Sequence, residues 1–451
     1  MSIFIENAAY VLTRSGVLTN QDIRIDGERI TTIRPHGEGT VAGEMPGEAA
    51  APRVINGRRR AVVAGWKNAH THAAMTLLRG YGDDMRLQPW LQERIWPAEA
   101  ALTGEQVYWG TRLAALEMIK SGTTFANDMY FFPEEVRRAF EDSGMRAAVG
   151  LALFDFGNPE MRRTVQEQVT GVLHGSWDSP GGRVFPVIAP HSIYTCSGEL
   201  LQWAADRAAE RGLVFHIHMN ETEQEVADCM EAHGSRPFAW LDELGVVDIV
   251  GARAVAAHGI WLDGAEREIA ARHGMTIAHN PASNMKLASG VLDWQALRSA
   301  GIPLMLAPDG VASNNNLDMF DEMKLAALLQ KVHTGDPTRL NADEAVALAA
   351  GEYSRAFAEF SIAGHLAEGA PADISIIDLD HPQMVPVHHV ESNIAYAANG
   401  SVVDTVIIAG EVVMEGRVIP GEAEVLEEAR RCAADLAQSV AGASASTNGS
   451  K

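Results

Sequence analysis

A chain of 451 residues, 47% hydrophobic and 21% charged, has the make-up of an ordinary globular protein with room for one large core or two to three domains. Its formal net charge of −23 argues against nucleic acid or an anionic membrane surface as a partner, because both require a basic face. Three scattered cysteines, Cys196, Cys229 and Cys432, are too few for a disulfide framework or a structural zinc knuckle and read as reduced thiols.

The start, "MSIFIENAAYVLTRSG", lacks the basic opening and continuous apolar stretch of a signal peptide, and no run of some 18 apolar residues suggests a membrane span, so a cytoplasmic location is expected. Short strands follow, with Asp26-Gly27 as a hairpin signal in "DIRIDGERITTIRP". The Gly/Ala/Glu-rich stretch 36–52 reads as an exposed loop of undefined role. Strand patterning returns in "ADISIIDLD" and "DTVIIAGEVVMEGRVI", so segments 1–62 and 364–425 are expected to combine into a small β-sandwich. Residues 426–451 are expected to form a C-terminal helix with a disordered tail, "AGASASTNGSK".

Between these ends, residues 63–363 alternate apolar runs with helical segments, the pattern of a parallel sheet with helical crossovers. "AVVAGW", "TTFAND", "RAAVGLALF", "RVFPVIA", "GLVFHIH", "AVAAH", "MTIAH" and "IPLMLA" supply the eight strands of a (β/α)8 barrel. One helix is marked at both ends, with Thr103 as N-cap, Gln106 three residues on and Gly122 as the stop.

A barrel of this kind works at the carboxyl ends of its strands. There the sequence places His70 and His72, Asn127 and Asp128, Asp155, His191, His216 and His218 followed by Glu221, His258, His279, and Asp309. Taken singly, His-x-His is ordinary strand alternation, His258 could be a hydrogen-bonded core histidine, and Asp309-Gly310 is a turn signal. Independent accidents would not all fall at the same end of consecutive strands. Imidazoles and a carboxylate around one ion leave a position for water and lower its pKa from about 16 toward 7, the logic of metal-assisted hydrolysis.

"NAHTHAAMTLLRGYGDDMRLQPWLQERIWPAE", "APHSIYTCS", "HIHMNETEQEV", "AAHGIWLD", "HNPASNMKLASG" and "APDGVASNNNLDMF" resemble the amidohydrolase superfamily, and within it the 5'-methylthioadenosine/S-adenosylhomocysteine deaminase family, over nearly the whole chain. The resemblance implies one divalent metal per subunit, zinc first with iron or manganese as alternatives, held by His70, His72, His218 and Asp309. It implies Glu221 as the acid that protonates a purine ring nitrogen and His258 as the group that orients the attacking water. Asp309 is implied to take the water's proton and pass it to departing ammonia. Trp90, Glu99, His191 and Glu221 are implied substrate contacts, with Trp90 over the substrate and Glu99 on the ribose diol. Strand four ends in His191, with no lysine there to bridge two metals, so the implied site is mononuclear. His216 and His279 are read as structural. A nucleoside is the implied small-molecule partner, and a homodimer or higher homo-oligomer the implied assembly.

Two departures from the family pattern carry weight. "AGWKNAHTH" replaces the usual Pro-Gly-aliphatic turn, and "GLALFDFGNP" is apolar where relatives accepting S-adenosylhomocysteine carry an arginine, leaving only Arg162 or Arg163 to substitute. The expectation is therefore methylthioadenosine first, adenosine or 5'-deoxyadenosine next, and S-adenosylhomocysteine weaker. The alternatives are a hydrolase of free guanine-like bases, pterins or triazines, and a barrel that has lost catalysis, although every implied ligand is present.

Overall fold

The computed structural model describes residues 2–38, 51–175, 177, 182–360 and 362–448, with side chains as far as 442. Most of the 36–52 loop lies outside the described residues. Its strands fall into two sheets that divide the chain unevenly. The barrel sheet is built from β6 (Trp66–Thr71), β7 (Thr123–Tyr130), β8 (Arg146–Leu153), β9 (Val184–Pro190), β10 (Phe215–Met219), β11 (Ala254–His258), β12 (Thr276–His279) and β13 (Leu304–Leu306), side by side in chain order. Every pairing is parallel. Covered on both faces, such strands are buried along their length rather than alternating, and β7 is buried throughout, polar Thr123, Thr124, Asn127 and Asp128 included. Ring closure falls just beyond β13, where the Asp309 N–H donates to the His70 carbonyl (3.2 Å) and the Thr71 hydroxyl donates to the Asp309 carbonyl (2.9 Å).

Both ends of the chain meet in the second sheet, a mixed one. It holds β1 (Ser2–Thr13), β2 (Gly16–Asp26), β3 (Arg29–Pro35), β4 (Arg53–Asn56) and β5 (Arg60–Ala64), together with β14 (Ile374–Asp378), β15 (Val403–Ile408) and β16 (Glu411–Met414). The Asp26-Gly27 turn joins β2 to β3 as an antiparallel hairpin.

One strand differs from the sequence expectation. "AVVA" of the run "AVVAGW" is β5 and pairs with β1 and β14, whereas barrel strand one is "WKNAHT". The chain changes sheets at Gly65, where a Cβ would sit 2.1 Å from the Thr124 side chain, so only glycine lets the two strands pass so closely.

The helices follow their local signals. In α1 (Gly104–Lys120), Thr103 and Gln106 form a reciprocal capping box. Further crossovers α2 (Pro133–Ser143), α3 (Pro159–Leu173), α4 (Gly198–Arg211), α5 (Glu223–His233) and α6 (Gly264–His273) pack outside the barrel, and Ser197, Thr222 and Asp263 cap the last three with side-chain oxygens. The C-terminal helix α7 (Glu422–Asn448) continues through most of the Ala/Ser-rich tail expected to be disordered. Among the described residues no helix is long and apolar enough to cross a membrane.

Candidate active site

At the carboxyl end of the barrel, side chains from seven strands converge on a cavity of about 960 Å³. Period-two alternation puts His70 and His72 of "NAHTH" on one side of the chain, with ring centroids 4.8 Å apart. Their Nε2 atoms lie 3.2 and 3.4 Å from Oδ1 of Asp309, and His218 brings its Nε2 to 3.3 Å from that of His72. Gly310 makes the approach possible, since a Cβ there would lie 3.2 Å from the His72 side chain and 2.7 Å from the Met75 sulfur.

The far edges of these rings are fixed by acceptors. His72 donates from Nδ1 to the Met129 carbonyl (2.7 Å) and His218 to the His191 carbonyl (2.6 Å), which leaves each Nε2 with its lone pair toward the centre. Two lone pairs at 3.3 Å repel unless a cation lies between them. The buried Nε2 of His70 likewise has no hydrogen-bond partner. Donor atoms of His70, His72 and His218 all lie within 4.8 Å of one another, as do those of His70, His258 and Asp309. Three nitrogens and a carboxylate oxygen with these orphaned lone pairs fit a divalent cation, with a position left open.

Asp309 is the most heavily bonded carboxylate of the site. Its Oδ2 accepts from Ser283 Oγ (2.6 Å) and Ser313 Oγ (3.0 Å), and its Oδ1 from the Gly310 N–H (2.7 Å). Burial opposes its ionisation, but the neighbouring imidazoles of His70, His72 and His258 prevail and hold it well below the usual carboxylate range. Glu221 is the opposite case. Burial and, less strongly, the charge of Asp309 push it up, with His258 and the Ser289 hydroxyl pulling the other way, so the two carboxyls are shifted in opposite directions.

Between them stands His258. Its Nδ1 meets the Asn284 Oδ1 at 2.9 Å, and its Nε2 lies 3.7 Å from the Glu221 carboxylate. Burial pulls its pKa down, yet the charges of Glu221 and Asp309 raise it above the ordinary histidine value. Both His258 (φ +72°) and Asp309 (φ +64°) sit in the left-handed region, strain that the surrounding hydrogen bonds hold in place.

Trp90, Glu99 and His191 line the same cavity. Trp90 is buried with its indole N–H unpartnered, a donor without an acceptor inside the protein. Glu99 lies against Tyr130, and burial pushes its carboxyl up to about 7. His191 meets Thr195 Oγ1 at 3.0 Å, and burial drives its pKa down to about 3, so it is a neutral imidazole. His216 stands behind His70 and His279 is buried outside the lining.

Arg162 is not available to a substrate. Its guanidinium is paired with Asp155 Oδ2 at 2.8 Å, and neither Arg162 nor Arg163 lines the cavity. Sequence reasoning missed Ser283, Ser289, Asn284 and Ser313 as partners of the acidic and histidine groups. The motif "HNPASN" pointed toward the first and third, but nothing local marked the others.

A model of the amidohydrolase family matches residues 61–413. The chain belongs to this family. This amidohydrolase is 45% identical over 426 residues to 5-methylthioadenosine/S-adenosylhomocysteine deaminase 1 of Archaeoglobus fulgidus, covering 94% of this chain and 96% of that one. It is 45% identical over 384 residues to 5'-deoxyadenosine deaminase of Methanoregula boonei, covering 85% and 86%. Among solved structures, an adenosine deaminase from Xanthomonas campestris with bound zinc superposes with a TM-score of 0.86 at 32% identity, over 97% of this amidohydrolase and 98% of that chain.

Proposed function

We propose that this amidohydrolase deaminates adenosine-type nucleosides to the inosine analogue and ammonia, with zinc as its metal. The observation that carries the reading is the placing of Glu221 3.7 Å from His258, with Asp309 within 4.8 Å of the same imidazole, where burial pushes Glu221 up while the imidazoles hold Asp309 down. The names of the relatives at 45% identity supply the nucleoside class. His70, His72, His218 and Asp309 would hold the ion, which when bound lowers the pKa of water toward about 7 and so makes a nucleophile available at neutral pH.

The chain's own groups do the rest. Glu221 gives its proton to the purine ring nitrogen beside the amino-bearing carbon, so the electron pair displaced by attack has somewhere to go. His258, anchored by Asn284, orients the attacking water. Asp309 takes the proton released on attack and delivers it to the amino group, which leaves as ammonia while the carbonyl forms and the remaining hydroxyl proton returns to Glu221. Trp90 covers the base, and Glu99 accepts from the ribose hydroxyls. With Arg162 tied to Asp155, methylthioadenosine, 5'-deoxyadenosine and adenosine rank above S-adenosylhomocysteine. The reading extends to a homodimer or higher homo-oligomer in the cytoplasm, the former measurable by sedimentation velocity.

Ammonia release from zinc-loaded protein, measured across adenosine derivatives, free purines and pterins, tests the proposal. Turnover of free bases with none of adenosine or its 5'-deoxy and methylthio analogues would overturn it.

A further inference from the structure

The cavity has two unlike halves. Around the histidine cluster it is polar, whereas the half beyond Tyr130 is lined mainly by Trp96, Phe131, Phe154, Phe156, Val165 and Val169, with Glu134, Glu135 and Gln168 also on the cavity wall. The aromatic rings there form a continuous path. Tyr130, 6.4 Å from the His72 ring, is followed by Phe131 at 5.3 Å, Phe154 at 5.9 Å, Phe156 at 5.7 Å and Trp96 at 6.2 Å, centroid to centroid. Among the described residues no lysine or arginine lines any part of the cavity.

Phe156 is the unusual member. It is 55% exposed and sits at φ +47°, a conformation that a bulky side chain rarely adopts. Its loop is fastened by Asp155, whose Oδ1 accepts the N–H groups of Ser197 (2.8 Å) and Gly157 (3.1 Å) and whose Oδ2 accepts Ser197 Oγ (2.5 Å) and Arg162 Nε (2.8 Å). The backbone N–H of Phe156 donates to the Thr195 carbonyl (2.9 Å). Asp155 and Arg162 therefore act as a clamp that holds a large apolar ring at the rim against both conformational strain and water.

Resting on the nucleoside reading, we infer that this aromatic wing is a subsite for apolar 5' substituents larger than methylthio, such as alkylthio or arylthio groups, with Phe156 as its stacking residue. The base and the 5' carbon leave the ribose at opposite ends, with the diol along the edge between them. A purine at Glu221 whose diol meets Glu99 therefore sends its 5' substituent past Tyr130 into the wing. The path spans several ring spacings, well beyond the reach of one methylthio group. With no cation and with Glu134 and Glu135 on the cavity wall, a 5'-terminal carboxylate is left unpaired, so chains ending in one are disfavoured against apolar chains of equal length.

The test is a series of kcat/KM values for adenosine, 5'-methylthio-, 5'-butylthio- and 5'-phenylthioadenosine and S-adenosylhomocysteine. With wild-type protein, KM falls from methylthio to butylthio by about threefold per added methylene, and phenylthio binds at least as well as butylthio. Phe156→Ala cuts the preference for phenylthio over adenosine about tenfold, and Arg162→Leu, which opens the clamp, reduces the same ratio. A KM that is flat or rises beyond methylthio, equal use of S-adenosylhomocysteine and the butylthio analogue, or a Phe156→Ala loss equal on all substrates overturns the inference. Because adenosine has no large 5' group, its turnover alongside a flat series would sink the subsite alone, whereas its absence together with that of every analogue would sink the nucleoside reading. If Phe156→Ala does not fold, the wild-type series still decides.

Discussion

Nδ1 of His70 lies 2.9 Å from Nε2 of His216, and His216 in turn meets the Asn127 side chain at 3.1 Å. For His70 to offer Nε2 to a cation its Nδ1 must carry the proton, so His216 is the acceptor that fixes the ring and its tautomer. Replacing His216 by Phe leaves that proton without a partner in a buried site. Metal affinity should fall about 10- to 100-fold, read by competition with a chromophoric chelator, whereas an unchanged affinity would reduce His216 to packing.

Glu221→Gln keeps the shape but not the transferable proton. The variant should bind metal at the wild-type stoichiometry while kcat for adenosine drops about 10²- to 10⁴-fold, the usual worth of a positioned acid. Metal analysis and ammonia release on the same sample separate the two effects.

On the proposed reading, Glu99 supplies the pH dependence. Burial raises its carboxyl to about 7, so below that pH it is largely protonated and can accept poorly from a diol, and above it the ionised form accepts from both hydroxyls. KM for adenosine should therefore decrease as pH rises through about 7 and then level off. The trend should vanish with 2',3'-dideoxyadenosine and in Glu99→Gln. A Glu99→Gln protein that binds adenosine normally would favour free bases as substrates.

Asp373 joins the two sheets. Its carboxylate takes Nε of Arg146 at 3.0 and 2.9 Å and the Ala409 N–H at 2.8 Å, and fully buried Lys67 lies 3.9 Å away. Burial lowers the Lys67 pKa to about 8, with Asp373 working in the other direction. Asp373→Ala would strand two buried cations, and denaturant unfolding should show a loss of about 3–5 kcal/mol. A loss under about 1 kcal/mol would mean that water reaches the site.

Much of the site was legible because its signals are local. A histidine pair two residues apart in a strand, an Asp before a Gly at the end of an apolar run, and His-x-x-Glu at a strand end each fix a side-chain direction within a few residues. The barrel supplies the rest by bringing successive strand ends to one rim. Arg162 was misleading for the same reason. Nothing local says whether an arginine faces a cavity or the carboxylate seven residues earlier, and only the turn of the chain at Phe156 places Asp155 within its reach.

By itself, then, the sequence determined which residues could bind a cation and move protons, that they would gather at the carboxyl ends of parallel strands, and that both chain ends would be β-rich. The tertiary structure decided what depends on pairing between distant segments. An apolar run such as "AVVA" satisfies either sheet, and its register with β1 and β14 gave it to the mixed one. The partners that tune each group, such as Ser283 for Asp309, Asn284 for His258 and Asp373 for Arg146, lie 26, 26 and 227 residues away. Burial and neighbouring charges across such separations push Glu221 and Asp309 in opposite directions, and residue type alone would have given both carboxyls the same chemistry.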